Sequence, residues 1–486
     1  MGSMLRRDAV TAATAALIAI AAAVGVFAGD DGQPTETIAS GAAPSVAPSW
    51  STVDGSSPVD ATAGSQGSAP SSTGRSPDGA AAASRAAAGI ARRPATGRPV
   101  LVGINLGDNE STGAQFGVAG LPDVSTQEID AIVRQVNASG GLAGHPIDPV
   151  YHKTDPLDGS FDVQNQETCA AFTEDEHVEI VLANALSPSK VLMHCLADKR
   201  VPLVWELHMM QITNAESTSF ANYLYRPSMP NVERQGFVID GLQRSGFFAK
   251  GAKVGILRWD LPEFERLSEK VFRPRLRAHG VNVVAEYRID MPQTSTQAAN
   301  AAGQASSAVL EFRQKGVTHV LFVPSGGAIP LVFLPAAASQ GYYPPYGMAS
   351  TDAPWFLAQN FPEEQLRDSH VVGWAPLLDG DQDVVRTASY RRCRAALATA
   401  KLTWDPYLEP FCDGLYFMQQ ALRDAPAVSV GSLRSGAERI GSSFESPYVF
   451  RTRFGPRHDG PMQARILRYD TSKGHFVYRG APFGFS

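Results

Sequence analysis

Between Pro99 and Ser486, apolar runs of strand length alternate with longer stretches of helical periodicity, and this alternation constrains the fold more than any other feature. The run "VLVGINL" (100–106) precedes "VSTQEIDAIVRQVNAS", in which apolar residues recur at three- and four-residue spacing. After "NYLYRPSMPNVERQG" the alternation restarts with "KVGILRW" (253–259). Strands separated by helices form parallel sheets that are covered on both faces. We therefore expect an α/β protein with two doubly wound parallel-sheet lobes.

The N-terminal residues differ in composition from this part of the chain. After Arg6 and Arg7 comes an apolar stretch of about twenty residues, which is typical of an export segment. Residues 1–28 are expected to be a signal peptide cleaved after Ala28 or an uncleaved membrane anchor, since the length permits both. Residues 29–98, rich in Ala, Ser, Gly and Pro, predict a disordered linker because they offer little apolar area to bury. The folded part is therefore expected outside the cell or at its surface.

The charge balance bears on the class of partner. The formal net charge is -6, and 19% of the residues are charged. A nucleic-acid-binding protein typically carries a basic excess, which is absent from this composition. We expect no nucleic-acid partner.

The four cysteines predict disulfides. They lack the Cys-x-x-Cys spacing of zinc and redox sites, and an even number in an exported protein favours pairing. Three connectivities are possible, and pairing between sequence neighbours is the one we expect. Buried free thiols are the alternative. The expected pairs are Cys169 with Cys195 and Cys393 with Cys412.

The loop in "VGINLGDNESTGAQFG" (102–117) follows the first predicted strand and invites comparison with phosphate-binding loops. A P-loop needs a lysine after its last glycine, but Ala114 follows Gly113. The Gly-x-Gly-x-x-Gly frame of dinucleotide-binding proteins is absent as well, and so is the His-Glu-x-x-His pattern of zinc proteases. We expect neither a cofactor nor a metal ion.

A secreted hydrolase is the rival class of function. The Gly-x-Ser-x-Gly turn of α/β-hydrolases does not occur in the sequence. Catalysis by Ser325 or Ser187 with His208 would require a hydrogen bond between serine and histidine and a pair of donors for an oxyanion. The sequence therefore favours a protein that is not an enzyme.

Several motifs resemble the type I periplasmic solute-binding proteins of the branched-chain amino-acid-binding group. The first strand and its loop, the turn in "VNASGGLAGHPIDPVYHKTD" and the loop in "VEIVLANALSPS" match that group in order and spacing. "NYLYRPSMPNVERQG" is similar to its crossover into the second lobe, and "PFCDGLYFMQQAL" to its late helix in the first. In the turn, Gly140, Gly141 and Gly144 would adopt left-handed backbone conformations that end a helix sharply.

The resemblance implies how the lobes are divided along the chain. Lobe 1 is expected to contain residues 99–227 and 375–440, and lobe 2 residues 228–374 and 441–486, joined by a hinge. The cleft between the lobes is then the expected binding site.

The resemblance also implies which residues of the first lobe contact a ligand. The aromatic residue before the glycine of the first loop forms a wall of the site in that group, and Gln115 and Phe116 occupy this place here. A cap on the first helix is the alternative role for Phe116. The serine loop and the next strand end supply the remaining positions of this lobe, Ser187, Glu206, His208 and Met209.

The second lobe would complete the site. Its expected positions are Glu263 or Phe264, Ser325, Gly326, Asp352 and Trp355. Asp352 either holds a ligand ammonium group or caps the helix that starts at Pro354. The tyrosines that amino-acid binders bring from this lobe are not evident, and Glu206 and His208 stand where small neutral residues are usual. We therefore expect a ligand other than an ordinary branched-chain amino acid.

The function implied by the resemblance is capture of a small organic ligand, amino-acid-like or another polar or aromatic solute, outside the cell. A membrane permease of the ABC type would receive the ligand. A sensing or scavenging receptor with the same fold is the alternative, because the long linker and the possible anchor fit either role.

Overall fold

The computed structural model describes residues 94–108, 110, 123–154, 160–185, 187, 189–324, 328–380, 384 and 386–485. The predicted export segment and nearly all of the predicted linker lie outside these residues. Within the described ranges, no helix combines the length and apolarity needed to span a membrane.

The first sheet has five strands, all parallel, in the order β2-β1-β3-β4-β5. Its strands are β1 Val100–Gly107, β2 Ile147–Thr154, β3 Ile180–Asn184, β4 Leu203–Trp205 and β5 Leu224–Tyr225. The order places β1 and β3 in the centre, which is typical of a doubly wound sheet.

The second sheet has seven strands in the order β12-β11-β10-β9-β8-β6-β7. Its strands are β6 Lys253–Trp259, β7 Asn282–Ile289, β8 His319–Phe322, β9 Tyr346–Ala349, β10 His370–Gly373, β11 Gln463–Asp470 and β12 His475–Gly484. The strands from β6 to β10 are parallel, whereas β11 and β12 are antiparallel to their neighbours.

Helices connect the strands and cover the sheets. The α-helices are α1 Thr126–Ala138, α2 Phe161–Ala170, α3 Val191–Asp198, α4 Asn214–Ser219, α5 Phe237–Arg244, α6 Pro262–Arg266, α7 Arg273–Ala278, α8 Ser295–Gln314, α9 Ala328–Ser339, α10 Pro354–Asn360, α11 Glu363–Leu366, α12 Pro376–Asp379, α13 Ala388–Thr399, α14 Glu409–Ala421 and α15 Val430–Ile440. π-Helical turns, Ala171–Asp175 and Leu267–Phe272, extend α2 and join α6 to α7. Short 3-10 turns lie at Val232–Arg234, Ser350–Asp352 and Pro406–Leu408.

The central strand β3 shows why this sequence forms a sheet buried on both faces. Ile180 and Leu182 point into a hydrophobic cluster that includes α1, α13, α14 and α15. Val181 and Ala183 point into the opposite cluster, formed with α2 and α3. Successive side chains of a strand alternate between the two faces, so a continuous apolar run is needed where helices pack on both.

We call the first sheet with α1–α4 and α13–α15 lobe 1, and the second sheet with α5–α11 lobe 2; α12 lies in a segment that connects them. Residues of lobe 2 share one large hydrophobic cluster. Three segments connect the lobes, namely residues 226–231 after β5, 374–387 after β10 and 441–462 after α15. We refer to them as the first, second and third crossover segments.

The expected α/β fold with two mostly parallel sheets is confirmed, and one feature differs from it. β11 and β12 form an antiparallel hairpin at the edge of the second sheet. Only residues 471–474 join them, and so short a connection permits antiparallel pairing alone. Asp470 stabilises the turn by accepting hydrogen bonds from the backbone and the hydroxyl of Ser472, at 3.1 and 2.6 Å.

The predicted disulfides are confirmed. Cys169 pairs with Cys195, with 6.3 Å between their Cα atoms, and joins α2 to α3. Cys393 pairs with Cys412, with 6.0 Å between their Cα atoms, and joins α13 to α14. Both bridges therefore fasten neighbouring helices of lobe 1.

The glycine turn after α1 has the predicted left-handed conformation. The φ angles are +106° at Gly140, +58° at Gly141 and +85° at Gly144. A Cβ atom at Gly141 would lie 2.0 Å from the carbonyl oxygen of His145, whereas one at Gly144 would meet no atom within 4 Å. The chain needs glycine at position 141 for space as well as for its backbone angle.

This difference predicts unequal costs for two alanine substitutions. Gly144→Ala should lower the free energy of unfolding by about 1–2 kcal/mol, the usual cost of a left-handed alanine. Gly141→Ala should lower it further, because the added methyl group must displace backbone as well. Urea unfolding of both variants measures the difference, and equal losses would contradict the steric contribution.

Candidate functional site

The carboxyl ends of the strands of both sheets contact each other. The loop after β4 reaches into lobe 2, where Leu207 and Met209 join its hydrophobic cluster. Leu261, which follows β6, packs against clusters of both lobes. Gln211 donates from Nε2 to the carbonyl of Pro324, after β8, at 2.8 Å. In open parallel sheets this edge is where ligands bind.

Charged and aromatic side chains also meet between the lobes. Lys190, at the start of α3, has its Nζ atom 2.7 Å from Glu216 in lobe 1 and 3.6 Å from Glu263 in lobe 2. The rings of Trp355 in lobe 2 and Tyr407 in lobe 1 make an edge contact with centroids 5.8 Å apart. Charged and aromatic contacts therefore join the lobes in addition to those of the strand-end loops.

The predicted ligand contacts of lobe 1 that lie among the described residues are all buried. Ser187 is 4% exposed, and its hydroxyl accepts from Asn165 Nδ2 at 2.8 Å. His208 is 1% exposed and lies against Trp205, with ring centroids 4.3 Å apart. Burial and the nearby Arg226 lower the pKa of His208, so the imidazole is neutral at physiological pH. Met209 is buried among residues of lobe 2.

The predicted contacts of lobe 2 lie in different surroundings. Asp352 is fully buried, and its carboxylate accepts from the backbone N–H of Ala349 at 2.9 Å. Phe264 is fully buried in the hydrophobic cluster of lobe 2. Glu263 and Trp355 lie at the boundary with lobe 1, as described above. Of the other predicted contacts, Gln115, Phe116, Ser325 and Gly326 are outside the described residues.

The serine and histidine named for a hydrolase do not form a catalytic pair where the structure describes them. The Ser187 hydroxyl is engaged by Asn165. Neither ring nitrogen of His208 makes a hydrogen bond of normal geometry with a described side chain, and the backbone of Met210 gives a weaker polar contact. Ser325 lies outside the described residues.

Four buried carboxyl groups gather where the crossover segments meet. We call them the hinge carboxyl cluster, and each is fully buried. One follows β4, one ends α12, and two lie on the first two turns of α14. Its members are Glu206, Asp379, Glu409 and Asp413.

Glu206 and Asp413 form one half of the cluster. Ser228 of the first crossover segment donates to Glu206 Oε2 at 2.6 Å. Ser446 of the third donates to Asp413 Oδ1 at 2.5 Å. The two carboxyl groups act on each other electrostatically, and a hydrogen bond between them would require a proton on one of them. Burial raises the pKa of both, and the neighbouring carboxyl adds to the rise at Glu206.

Glu409 and Asp379 form the other half. Arg386 of the second crossover segment donates from Nη2 to Glu409 Oε1 at 2.8 Å. Burial nevertheless raises the pKa of Glu409 to about 8. Tyr478 of β12 donates to Asp379 Oδ2 at 2.5 Å, and burial raises the pKa of Asp379 to about 7. In both residues the loss of water outweighs the stabilising partner.

Glu206 was predicted from the sequence as a ligand contact, whereas the other three carboxyl groups were not predicted. Glu409 and Asp413 are charged residues in a helix that is otherwise almost wholly apolar and buried, "EPFCDGLYFMQQA". Charged residues in such a helix are rarely buried unless they are paired, so this pattern was an available signal. Asp379 offered no comparable signal, because its burial depends on the contact with β12.

With this geometry in place, comparisons with known proteins establish the fold. No protein-family model matches the chain, and no curated protein matches it. An extracellular ligand-binding receptor from Rhodopseudomonas palustris HaA2 aligns with a TM-score of 0.57 at 14% identity, covering 79% of this chain and 100% of that chain.

Two further solved structures have known ligands. The substrate-binding protein of a branched-chain amino-acid transporter from Streptococcus pneumoniae, in complex with isoleucine, aligns with a TM-score of 0.54 at 16% identity. It covers 80% of this chain and 99% of that chain. A solute-binding protein of an ABC transporter from R. palustris, in complex with 4-hydroxybenzoate, gives 0.56 at 15% identity, covering 79% and 97%. The chain thus has the fold of the type I periplasmic solute-binding proteins, as the resemblance implied.

The ion pair between Lys190 and Glu263 should favour the closed arrangement of the two lobes. Glu263→Gln removes the attraction between Glu263 and Lys190, which should lower the ratio of closed to open molecules by up to about fivefold, or about 1 kcal/mol. Small-angle scattering of the ligand-free protein should then give a larger radius of gyration.

A matched control separates this effect from a general loss of charge. Glu174→Gln removes the same charge from an ion pair with Lys199, within lobe 1. A radius that is the same in both variants would show that the pair between the lobes does not favour closure.

Proposed function

We propose that this protein is an extracellular solute-binding protein that captures a small organic ligand between its two lobes and delivers it to an ABC-type importer. One observation carries the proposal. The strand-end loops of the two sheets contact each other, through Leu207 and Met209 in the lobe 2 cluster and through the hydrogen bond from Gln211 to Pro324. A ligand held at these edges is enclosed by both lobes.

Binding by closure needs no covalent chemistry. When two lobes close on a ligand, water leaves the site, and each remaining polar contact gains strength in the drier surroundings. The hinge motion is confined to a few connecting residues. The three crossover segments supply such residues here.

The proposed ligand site combines the contacts predicted in the sequence with the polar groups at the strand ends. Gln115, Phe116, Ser187, Glu206, His208 and Met209 come from lobe 1, and Glu263, Phe264, Ser325, Gly326, Asp352 and Trp355 from lobe 2. The burial of Phe264 favours a packing role for this residue. Asp352 accepts from Ala349 N–H and does not cap the helix at Pro354, whose N-cap residue is Ala353 without a side-chain cap hydrogen bond. Phe116, Ser187, His208 and Trp355 are therefore the contacts we test first.

The ligand class is an amino-acid-like or other polar or aromatic solute. A neutral His208 stacked on Trp205 can exchange hydrogen bonds with a polar ligand without adding a charge. Two of the similar structures hold isoleucine and 4-hydroxybenzoate, an amino acid and an aromatic acid. We propose further that residues 1–28 direct export or anchor the protein and that residues 29–98 hold the lobes away from that anchor.

A thermal-shift screen of amino acids, amides and aromatic acids tests the binding role. A true ligand at about a hundred times its dissociation constant should add roughly 2.7 kcal/mol to the free energy of unfolding. Failure of every compound in these classes would count against the ligand class that we propose.

Substitution of Phe116 tests its place in the site. Phe116→Ala should abolish the shift, since an aromatic wall contributes large apolar area at low entropic cost. Tyr343→Ala is the matched control, because Tyr343 is 50% exposed on lobe 2. An undiminished shift in the Phe116 variant would remove this residue from the site.

Uptake distinguishes transport from sensing or scavenging. Deletion of the gene should slow cellular uptake of the identified ligand, and restoring the gene should recover it. Normal uptake in the deletion strain, with binding intact in the purified protein, would favour the receptor role.

A further inference from the structure

The hinge carboxyl cluster connects every segment that joins the lobes. Ser228 of the first crossover segment bonds Glu206, and Arg386 of the second bonds Glu409. Ser446 of the third bonds Asp413. A change in the protonation of the cluster therefore alters hydrogen bonds to all three crossover segments.

We propose that the hinge carboxyl cluster is a proton-binding site and that closure of the two lobes is coupled to the uptake of protons from solution. The coupling between closure and proton uptake rests on the proposed function, because that function requires the two lobes to close on a ligand. The proton site itself rests on the contacts within the cluster.

Charge balance is the first reason. Four carboxyl groups lie in the cluster, and among the described residues Arg386 is the one cation hydrogen-bonded to it. Full ionisation would leave three negative charges uncompensated in a region from which water is excluded. Protons are the smallest ligands that can neutralise them.

Unsatisfied oxygens are the second reason. One oxygen of each carboxyl group lacks a hydrogen-bond partner among the described residues, although it is fully buried. A bound proton turns such an oxygen into a donor and allows carboxyl groups to bond to each other. The oxygens concerned are Glu206 Oε1, Asp379 Oδ1, Glu409 Oε2 and Asp413 Oδ2.

Tyr448 provides an independent observation. Its side chain is 1% exposed, and its hydroxyl has no hydrogen-bond partner among the described residues. All four carboxyl groups act electrostatically on this hydroxyl and, with burial, raise its pKa. Tyr448 thus stays neutral and can donate to whichever carboxyl group has lost its proton.

Further groups surround the cluster from each neighbouring element. Arg386 also lowers the pKa of Asp379, although less than burial raises it. Ser350 and Tyr478 hydrogen-bond to Asp379. The hydroxyl groups of these two residues do not titrate near neutral pH, so the carboxyl groups carry the titration.

The direction of the coupling follows from the raised pKa values. A group whose pKa is raised in the closed form binds its proton more tightly there than in an open form that admits water. The closed form is then favoured at low pH and loses that advantage as pH rises through the interval between the two pKa values. With the pKa of Asp379 at about 7 and that of Glu409 at about 8 in this structure, in which the two lobes contact each other, the change falls between mildly acidic and mildly alkaline conditions.

The test uses the full chain without ligand. Small-angle scattering should show a radius of gyration that increases from about pH 5 to about pH 9, and infrared spectra at neutral pH should show protonated carboxyl groups. Over this pH range, the ratio of closed to open molecules should fall by about tenfold for each unit by which closure raises the pKa of a carboxyl group.

The double variant Asp379→Asn and Asp413→Asn keeps the shape of both side chains but removes their titration. It should lose the part of the pH dependence that Asp379 and Asp413 contribute and part of the infrared signal, whereas Glu206 and Glu409 still titrate. Glu311→Gln is the control, because Glu311 pairs with Lys315 on the surface of α8. The control should titrate like the unaltered protein.

Two results would overturn the proposal. One is an infrared spectrum of the unaltered protein without protonated carboxyl groups at neutral pH. The other is a radius of gyration that does not depend on pH. If the double variant does not fold, Tyr448→Phe replaces it and should alter the pH dependence by removing the central hydroxyl. All these measurements omit ligand, so a failed ligand screen and a failed proton site are separate outcomes.

Discussion

The parallel arrangement of the strands is the constraint on which the rest of this structure depends. Helical crossovers bring all the carboxyl ends of parallel strands to one edge of a sheet. With two such sheets in one chain, loops such as the one carrying Leu207 and Met209 can reach from one edge to the core of the other lobe. The contacts between the lobes follow from this geometry, as does the place where a ligand would be enclosed.

The hinge region departs from the chemistry of an ordinary protein core. Elsewhere in α14 the buried side chains are mostly apolar, but Glu409 and Asp413 place two carboxyl groups on one side of this helix. Burial of such groups opposes folding unless they are paired or protonated. Hydrogen bonds from Ser446 and Arg386 offset part of that cost and tie the helix to two crossover segments. Stability and hinge connectivity thus depend on the same few residues.

Much of the fold was predictable because its signals are local. The run 253–259 was predicted as a strand and forms β6 over the same residues. The glycines after α1 have the expected positive φ angles, since steric limits on the backbone act within a few residues. The antiparallel edge of the second sheet was not predicted: β11 pairs locally with β12 across residues 471–474, and its pairing with β10 joins residues about ninety positions apart. Of the other cluster carboxyl groups, Glu409 and Asp413 carried a local signal in an otherwise apolar helix, whereas the burial of Asp379 depends on its contact with β12.

The sequence by itself indicated the α/β class, two parallel sheets and the resemblance to solute-binding proteins, and it favoured neighbour pairing of the four cysteines among three possible connectivities. Apolar periodicity, turn glycines and cysteine spacing all act over short distances along the chain, so they can be read without a structure. Only the tertiary structure decided that Lys190 faces Glu263 across the lobes and that Glu206 is buried close enough to Asp413 for their charges to interact. These contacts join residues far apart in sequence, and the burial that raises the pKa of Glu206 exists only once both lobes and the crossover segments are packed together.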